Sequence, residues 1–167
     1  MNGRRTILPK TGDRAEASAI AVSGSDVYIV GWDGDDAVYW LNGRRSVLSK
    51  TGNSAWASAI AVSGSNVYIA GWDGEDFNRG DAVYWLNGSR TVLPTIGNGA
   101  EVYSIAVSGS DVYILGQDDR EAVYWLNGTR IVLQEEGEYE ANAIAVSGSD
   151  VYIVGRINYW LIDSGDE

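Results

Sequence analysis

The sequence predicts an all-β protein, a β-propeller of four blades with four antiparallel strands each, and three observations predict it. The segment 19–29 returns at 59–69, 104–114 and 143–153, at intervals of 40, 45 and 39 residues. A second signature, Tyr39-Trp40-Leu41-Asn42-Gly43, recurs at 84–88 and 124–128 and begins again at Tyr159. The strand-forming runs are apolar on both faces, so each small sheet must be covered on two sides. Radial stacking of such sheets provides this cover, whereas an open sheet or a one-sided barrel leaves a row of aromatic side chains in water.

Each repeat reads as four strands. The Ala/Ser-rich run 18–23 is the slimmest and is placed nearest the axis, where the inner strands crowd. The turn Ser23-Gly24-Ser25-Asp26 leads to a second strand, 27–32, with its branched and aromatic residues. An acidic loop, 31–36, separates this from a third strand, 37–41, and Asn42-Gly43 then predicts a type I′ hairpin turn into a fourth strand, 44–48. Applied along the chain, the pattern gives one domain over residues 1–167, with blades at about 17–48, 57–93, 102–133 and 142–162, the last completed by residues 3–8.

The first strand-like run, 3–8, reads as a fourth strand without its blade, and the last, 157–162, as a third strand without its partner. Pairing them closes the ring and removes two open edges. The closure works within one chain, as a four-bladed monomer, or between two, as an eight-bladed homodimer. The bulky Trp and Tyr residues suit the wide blade angle of the smaller ring, which favours the monomer.

The Tyr-Trp-x-Asn-Gly and Val-Ser-Gly-Ser-Asp-Val-Tyr segments together resemble a family of bacterial repeat propellers, over essentially the whole chain. The resemblance implies the fold and no activity. Copies this similar are also what recent amplification, or design by repetition, produces.

Composition narrows the function. There is no Cys and no His, which removes disulfides, thiolate metal sites, the usual general base and the commonest zinc ligand. A net charge of −11 repels phosphate backbones and anionic lipid surfaces, so neither nucleic acid nor membrane is an expected partner. The N-terminal residues lack the apolar core of a signal peptide and no run is long enough to span a bilayer, so a soluble chain is expected, in a compartment the sequence does not name.

The turns after the first and third strands are nearly invariant between copies and fall at one end of the blades. The variable loops 31–36, 71–81, 116–121 and 155–158 share the other end, where function on a rigid scaffold is expected. Trp32 and Trp72 there suit stacking on a sugar face, with Asp33 and Asp73 accepting hydroxyl hydrogen bonds. Their competing role is to cap the interface between blades. At the entry to the innermost strands, Glu16, Trp56, Glu101 and Glu140 occupy equivalent positions, followed by Ser18, Ser58, Tyr103 and Asn142. Trp56 and Tyr103 join the candidate ligand-binding residues. Glu16, Glu101 and Glu140 are candidates for a hard cation, against which stands the absence of any known calcium-loop spacing. No cofactor is implied.

The expected function is therefore non-catalytic, lectin-like binding of a glycan or a protein loop on the variable face. The alternatives are a scaffold without an evolved ligand and a glycosidase working with carboxylates alone, for which no asymmetric acid pair is visible.

Overall fold

The computed structural model of the chain describes residues 5–76, 79–97, 99–119, 121–133 and 138–158; of residues 76, 138–140, 157 and 158 only the backbone is described. The described residues are all-β and form four antiparallel sheets of 4, 4, 4 and 2 strands. The first sheet comprises β1 (Ala15–Ser23), β2 (Asp26–Asp33), β3 (Asp36–Leu41) and β4 (Arg44–Val47). The second comprises β5 (Ser54–Ser63), β6 (Asn66–Asp76), β7 (Arg79–Leu86) and β8 (Ser89–Val92). The third comprises β9 (Glu101–Ser108), β10 (Asp111–Asp118), β11 (Glu121–Leu126) and β12 (Thr129–Val132), and the fourth β13 (Glu138–Ser147) and β14 (Asp150–Asn158). Within each sheet the strands follow chain order as a meander.

The hairpin turns have the predicted form. Asn42 and Gly43 both take positive φ, 51° and 85°, as a type I′ turn requires. The Asn42 side chain does more than bend the chain: its Oδ1 accepts from the Val27 amide at 2.9 Å and its Nδ2 donates to Asp26 Oδ1 at 2.8 Å. Asn87 and Asn127 repeat both bonds in their own sheets. The two turns at this end of each of the first three sheets are thereby tied together.

Side-chain alternation gives each of the first three sheets a tyrosine face, with Tyr28, Val30 and Tyr39 in the first, and a tryptophan face, with Ile20, Ile29 and Trp40; in the fourth sheet Tyr152 and Val154 share the first kind of face and Ile144 and Ile153 the second. The tyrosine face of one sheet packs on the isoleucine-bearing face of the next. Val30, Ala37 and Tyr39 meet Ile69, Val83 and Trp85; Tyr68, Ala70 and Tyr84 meet Ile105, Ile114 and Trp125; Tyr113, Leu115 and Tyr124 meet Ile144 and Ile153. The slim strands β1, β5, β9 and β13 lie side by side in that order. The faces at the two ends of the stack, around Ile20 and around Val154, are exposed.

Several boundaries differ from those read in the sequence: the inner strand expected at 18–23 begins at Ala15, and the second strands run on to Asp33 and Asp118, into the expected loops 31–36 and 116–121. The stretch 71–81, expected as a loop, is largely ladder: Gly74 pairs with Gly80 and Asp76 with Arg79, so β6 and β7 extend into a longer hairpin. Glycines on both strands let the Trp72 indole lie where a side chain at position 80 would stand. Residues 157 and 158, assigned to a third strand, continue β14 by pairing with Tyr139 and Glu138. Residues 5–8 lie in no strand, and 159–162, the other half of the expected closure, lie outside the described residues.

Candidate functional site

The site is built at the end of the sheets opposite the invariant turns. Near their entry the inner strands carry a β-bulge, at which the ladder register skips Ser18, Ser58, Tyr103 and Asn142. Bulges re-aim side chains and are common beside sites. In the first three sheets the bulge brings the backbone of the inner strand hard against the second strand: a side chain at Gly31, Gly71 or Gly116 would collide with the carbonyl oxygen of Glu16, Trp56 or Glu101. These glycines inside a strand are what the close approach demands.

The candidate residues prove to be cross-strand partners. Glu16 stands opposite Trp32, Trp56 opposite Trp72, Glu101 opposite Gln117 and Glu140 opposite Arg156. Each sheet therefore displays one variable pair and one bulged residue on a common backbone.

Two of these sets converge. Between the first and second sheets lies a cleft of about 460 Å³, lined by Glu16, Ser18, Trp32, Asp35, Trp56 and Trp72 among others. Trp56 and Trp72 stack with ring centroids 4.2 Å apart and planes inclined by 16°. Trp72 is buried, packed between Trp56 and the glycines of the β6–β7 hairpin, whereas Trp32 and Trp56 are half-exposed. The wall is pinned by Lys50, whose Nζ donates to the carbonyls of Asp35 and Asn53, both at 2.8 Å, and pairs with Asp36 at 3.0 Å. The Ala55 amide also donates to the Asp35 carbonyl at 3.0 Å.

Asp33 and Asp73 have a different placement from their tryptophan neighbours. Both are buried. Asp33 accepts from the Thr11 and Gly12 amides at 2.7 Å, from the Thr11 hydroxyl at 3.1 Å and from Arg45 Nε at 2.6 Å. Asp73 repeats this with Thr51, Gly52 and Arg90, and Asp118 with Ile96, Gly97 and Arg130. Burial works against the Asp33 charge, but the amide, hydroxyl and guanidinium bonds outweigh it and lower its pKa to about 2. Asp73 is lowered by the same balance, burial against the Gly52 and Thr51 bonds and Arg90. Each carboxylate fastens the incoming connector to the end of the second strand of the sheet it joins. Next to it, Trp40, Trp85 and Trp125 donate their indole N–H to the carbonyls of Pro9, Ser49 and Pro94 at 2.7–2.8 Å.

Tyr103 belongs to the third sheet and does not line the tryptophan cleft. Its hydroxyl lies 3.0 Å from both Glu101 Oε2 and Gln117 Oε1. Of the cation candidates, Glu16 lines the cleft, Glu101 is drawn to Tyr103, and the side chain of Glu140 lies outside the described residues. Among the described residues no group of three or more acidic side chains is placed to hold a metal ion.

Sequence reasoning did not single out the connector residues Thr11, Gly12, Thr51 and Gly52, the arginines 45, 90 and 130, or Asp35. The repeat holds a signal for the connector residues: a Thr-Gly or Ile-Gly step precedes each of Asp33, Asp73 and Asp118, and Ile157 stands at the equivalent position of the fourth repeat.

No protein-family model matches the chain, and no curated protein matches its sequence.

Proposed function

We propose that the four sheets are blades of a β-propeller and that the chain is a non-catalytic binding module, taking a glycan in the cleft between its first two blades. The observation that carries the reading is the convergence of Trp32, Trp56 and Glu16 on one cleft of about 460 Å³, a size suited to one or two sugar rings. Half-exposed indoles offer apolar faces to the C–H surface of a pyranose. The Glu16 carboxylate accepts hydrogen bonds from sugar hydroxyls, and the Ser18 hydroxyl both donates and accepts. Trp72 stiffens the platform by stacking behind Trp56. Asp33 and Asp73 act from behind the site, by fixing the connectors that frame it.

The test is a glycan array followed by calorimetric titration of the best hit against the wild type and the variants Trp32→Ala and Trp56→Ala. Each variant is expected to weaken binding at least ~10-fold, the scale of one lost stacking contact. A silent array, or a hit that binds both variants as well as the wild type, would overturn the reading.

A further inference from the structure

We infer that a second copy of this chain completes the ring, each copy stacking its last sheet on the first sheet of the other to make eight blades. The inference concerns the assembly and rests on the propeller reading, not on the glycan cleft. Three internal interfaces repeat one rule, the tyrosine face of one sheet on the isoleucine-bearing face of the next, and that rule leaves one of each unpaired at the ends of the stack. On the first sheet Ile20 is 64% exposed, while its equivalents Ile105 and Ile144 are 8% and 7% and Ile60 is half-buried. On the fourth sheet Val154 is 62% exposed and Tyr152 57%, while Val30, Ala70 and Leu115 are all 0% and Tyr68 and Tyr113 are 6% and 7%. The two end faces are thus the two halves of an interface the chain already makes three times.

Among the described residues these halves do not pack as the internal ones do: β1 packs on β5 and β13 on β9, but β1 and β13 are not packed together in the same way. The N-terminal segment shows where the missing sheet belongs. Residues 9–12 dock on the first sheet as 49–52 dock on the second, through Trp40 to Pro9 and Asp33 to Thr11 and Gly12. Residues 49–52 arrive there directly from β4, the outer strand of the preceding sheet. Residues 5–8, with the β4-like sequence Arg5-Thr6-Ile7-Leu8, are therefore delivered to the place of the outer strand of a preceding sheet. The fourth sheet of a second copy brings the exposed tyrosine face that this position requires. Such a heterologous contact, made twice about a two-fold axis, closes with no face left over.

The test is the mass in solution by light scattering or sedimentation, with Ile20→Asp and Val154→Asp as end-face variants. The wild type is expected at about 36 kDa, twice the 18.0 kDa of one chain. Each variant alone carries its charge in both interfaces and is expected at the single-chain mass. Mixed, the two variants retain one unaltered interface, so a dimer is expected to return. A wild type at single-chain mass, a mass well above two chains, or folded variants that stay dimeric would each overturn the inference. Should a variant lose its circular dichroism signal, hydrogen exchange on the wild type decides. Amides of residues 5–8 and of β1 are expected to gain protection as concentration rises, and concentration-independent exchange counts against the ring. A single-chain mass together with glycan binding would remove the dimer and leave the cleft standing.

Discussion

At the residue scale, the buried aspartates separate what the sequence reveals from what it hides. Asp33 follows Trp32 in an acidic loop, and nothing local distinguishes it from its neighbours Asp35 and Asp36. Its role depends on a connector 21–22 residues upstream folding back onto it, and that is a tertiary fact. The consequence is measurable. The folded pKa of about 2 lies below the ordinary value of 3.8, so the stabilisation is fully present above pH 3.8 and is lost as pH falls through 2. Urea unfolding between pH 5 and pH 2 should therefore show a falling midpoint for the wild type, with Asp73 contributing in the same direction. Asp33→Ala leaves two amides and Arg45 without their acceptor, at a cost of about 2–4 kcal/mol near neutrality. Its acid limb should be shallower than that of the wild type. An unchanged limb would mean that Asp33 is not held ionised by the connector.

At the scale of elements, the strands were readable because branched and aromatic runs alternate with turn residues, and the turns because Asn-Gly has few other uses. The bulge was not. It shifts register without leaving a mark in composition, except for the glycine inside each second strand, whose meaning emerges only when the carbonyl of Trp56 is seen pressed against Gly71. The bulge also turns the equivalent positions 16, 56, 101 and 140 into cross-strand partners of 32, 72, 117 and 156, a pairing that spacing alone did not supply. Gly71→Ala is the test of this element. The added methyl must push β5 away from β6, which should cost roughly 1–3 kcal/mol as in other overpacked sites. It should also lower the affinity of any ligand stacked on Trp56, since that residue leads into the bulge. A variant with wild-type stability would show that the two strands separate there freely.

For the whole molecule, the repeat and its doubly apolar sheets made the all-β stack legible, because a sheet apolar on both faces must be covered on both. The net charge of −11 acts on the same scale. With 23 acidic and 12 basic residues, the folded chain confines an excess of negative charge that the unfolded chain spreads out, so self-repulsion opposes folding at pH 7. Attractive pairs such as Arg45–Asp33 and Arg130–Asp118, 2.6 and 2.5 Å long with their carboxylates at 0% exposure, work the other way. Salt screens the two contributions unequally. The repulsion acts between exposed carboxylates across distances near the Debye length, whereas the pairs are short, partly withdrawn from water and weakly screened. Raising sodium chloride from about 0.02 to 0.5 M shortens the Debye length from roughly 20 to 4 Å, which removes most of the repulsion and little of the pairing. The thermal midpoint at pH 7 should therefore rise with salt, and by more at pH 8 than at pH 5, where approach to the isoelectric point of about 4.3 has already relieved the charge. A midpoint that falls with salt at pH 7 would show that the arginine–aspartate fastenings, rather than the overall charge, set the electrostatic balance of the fold.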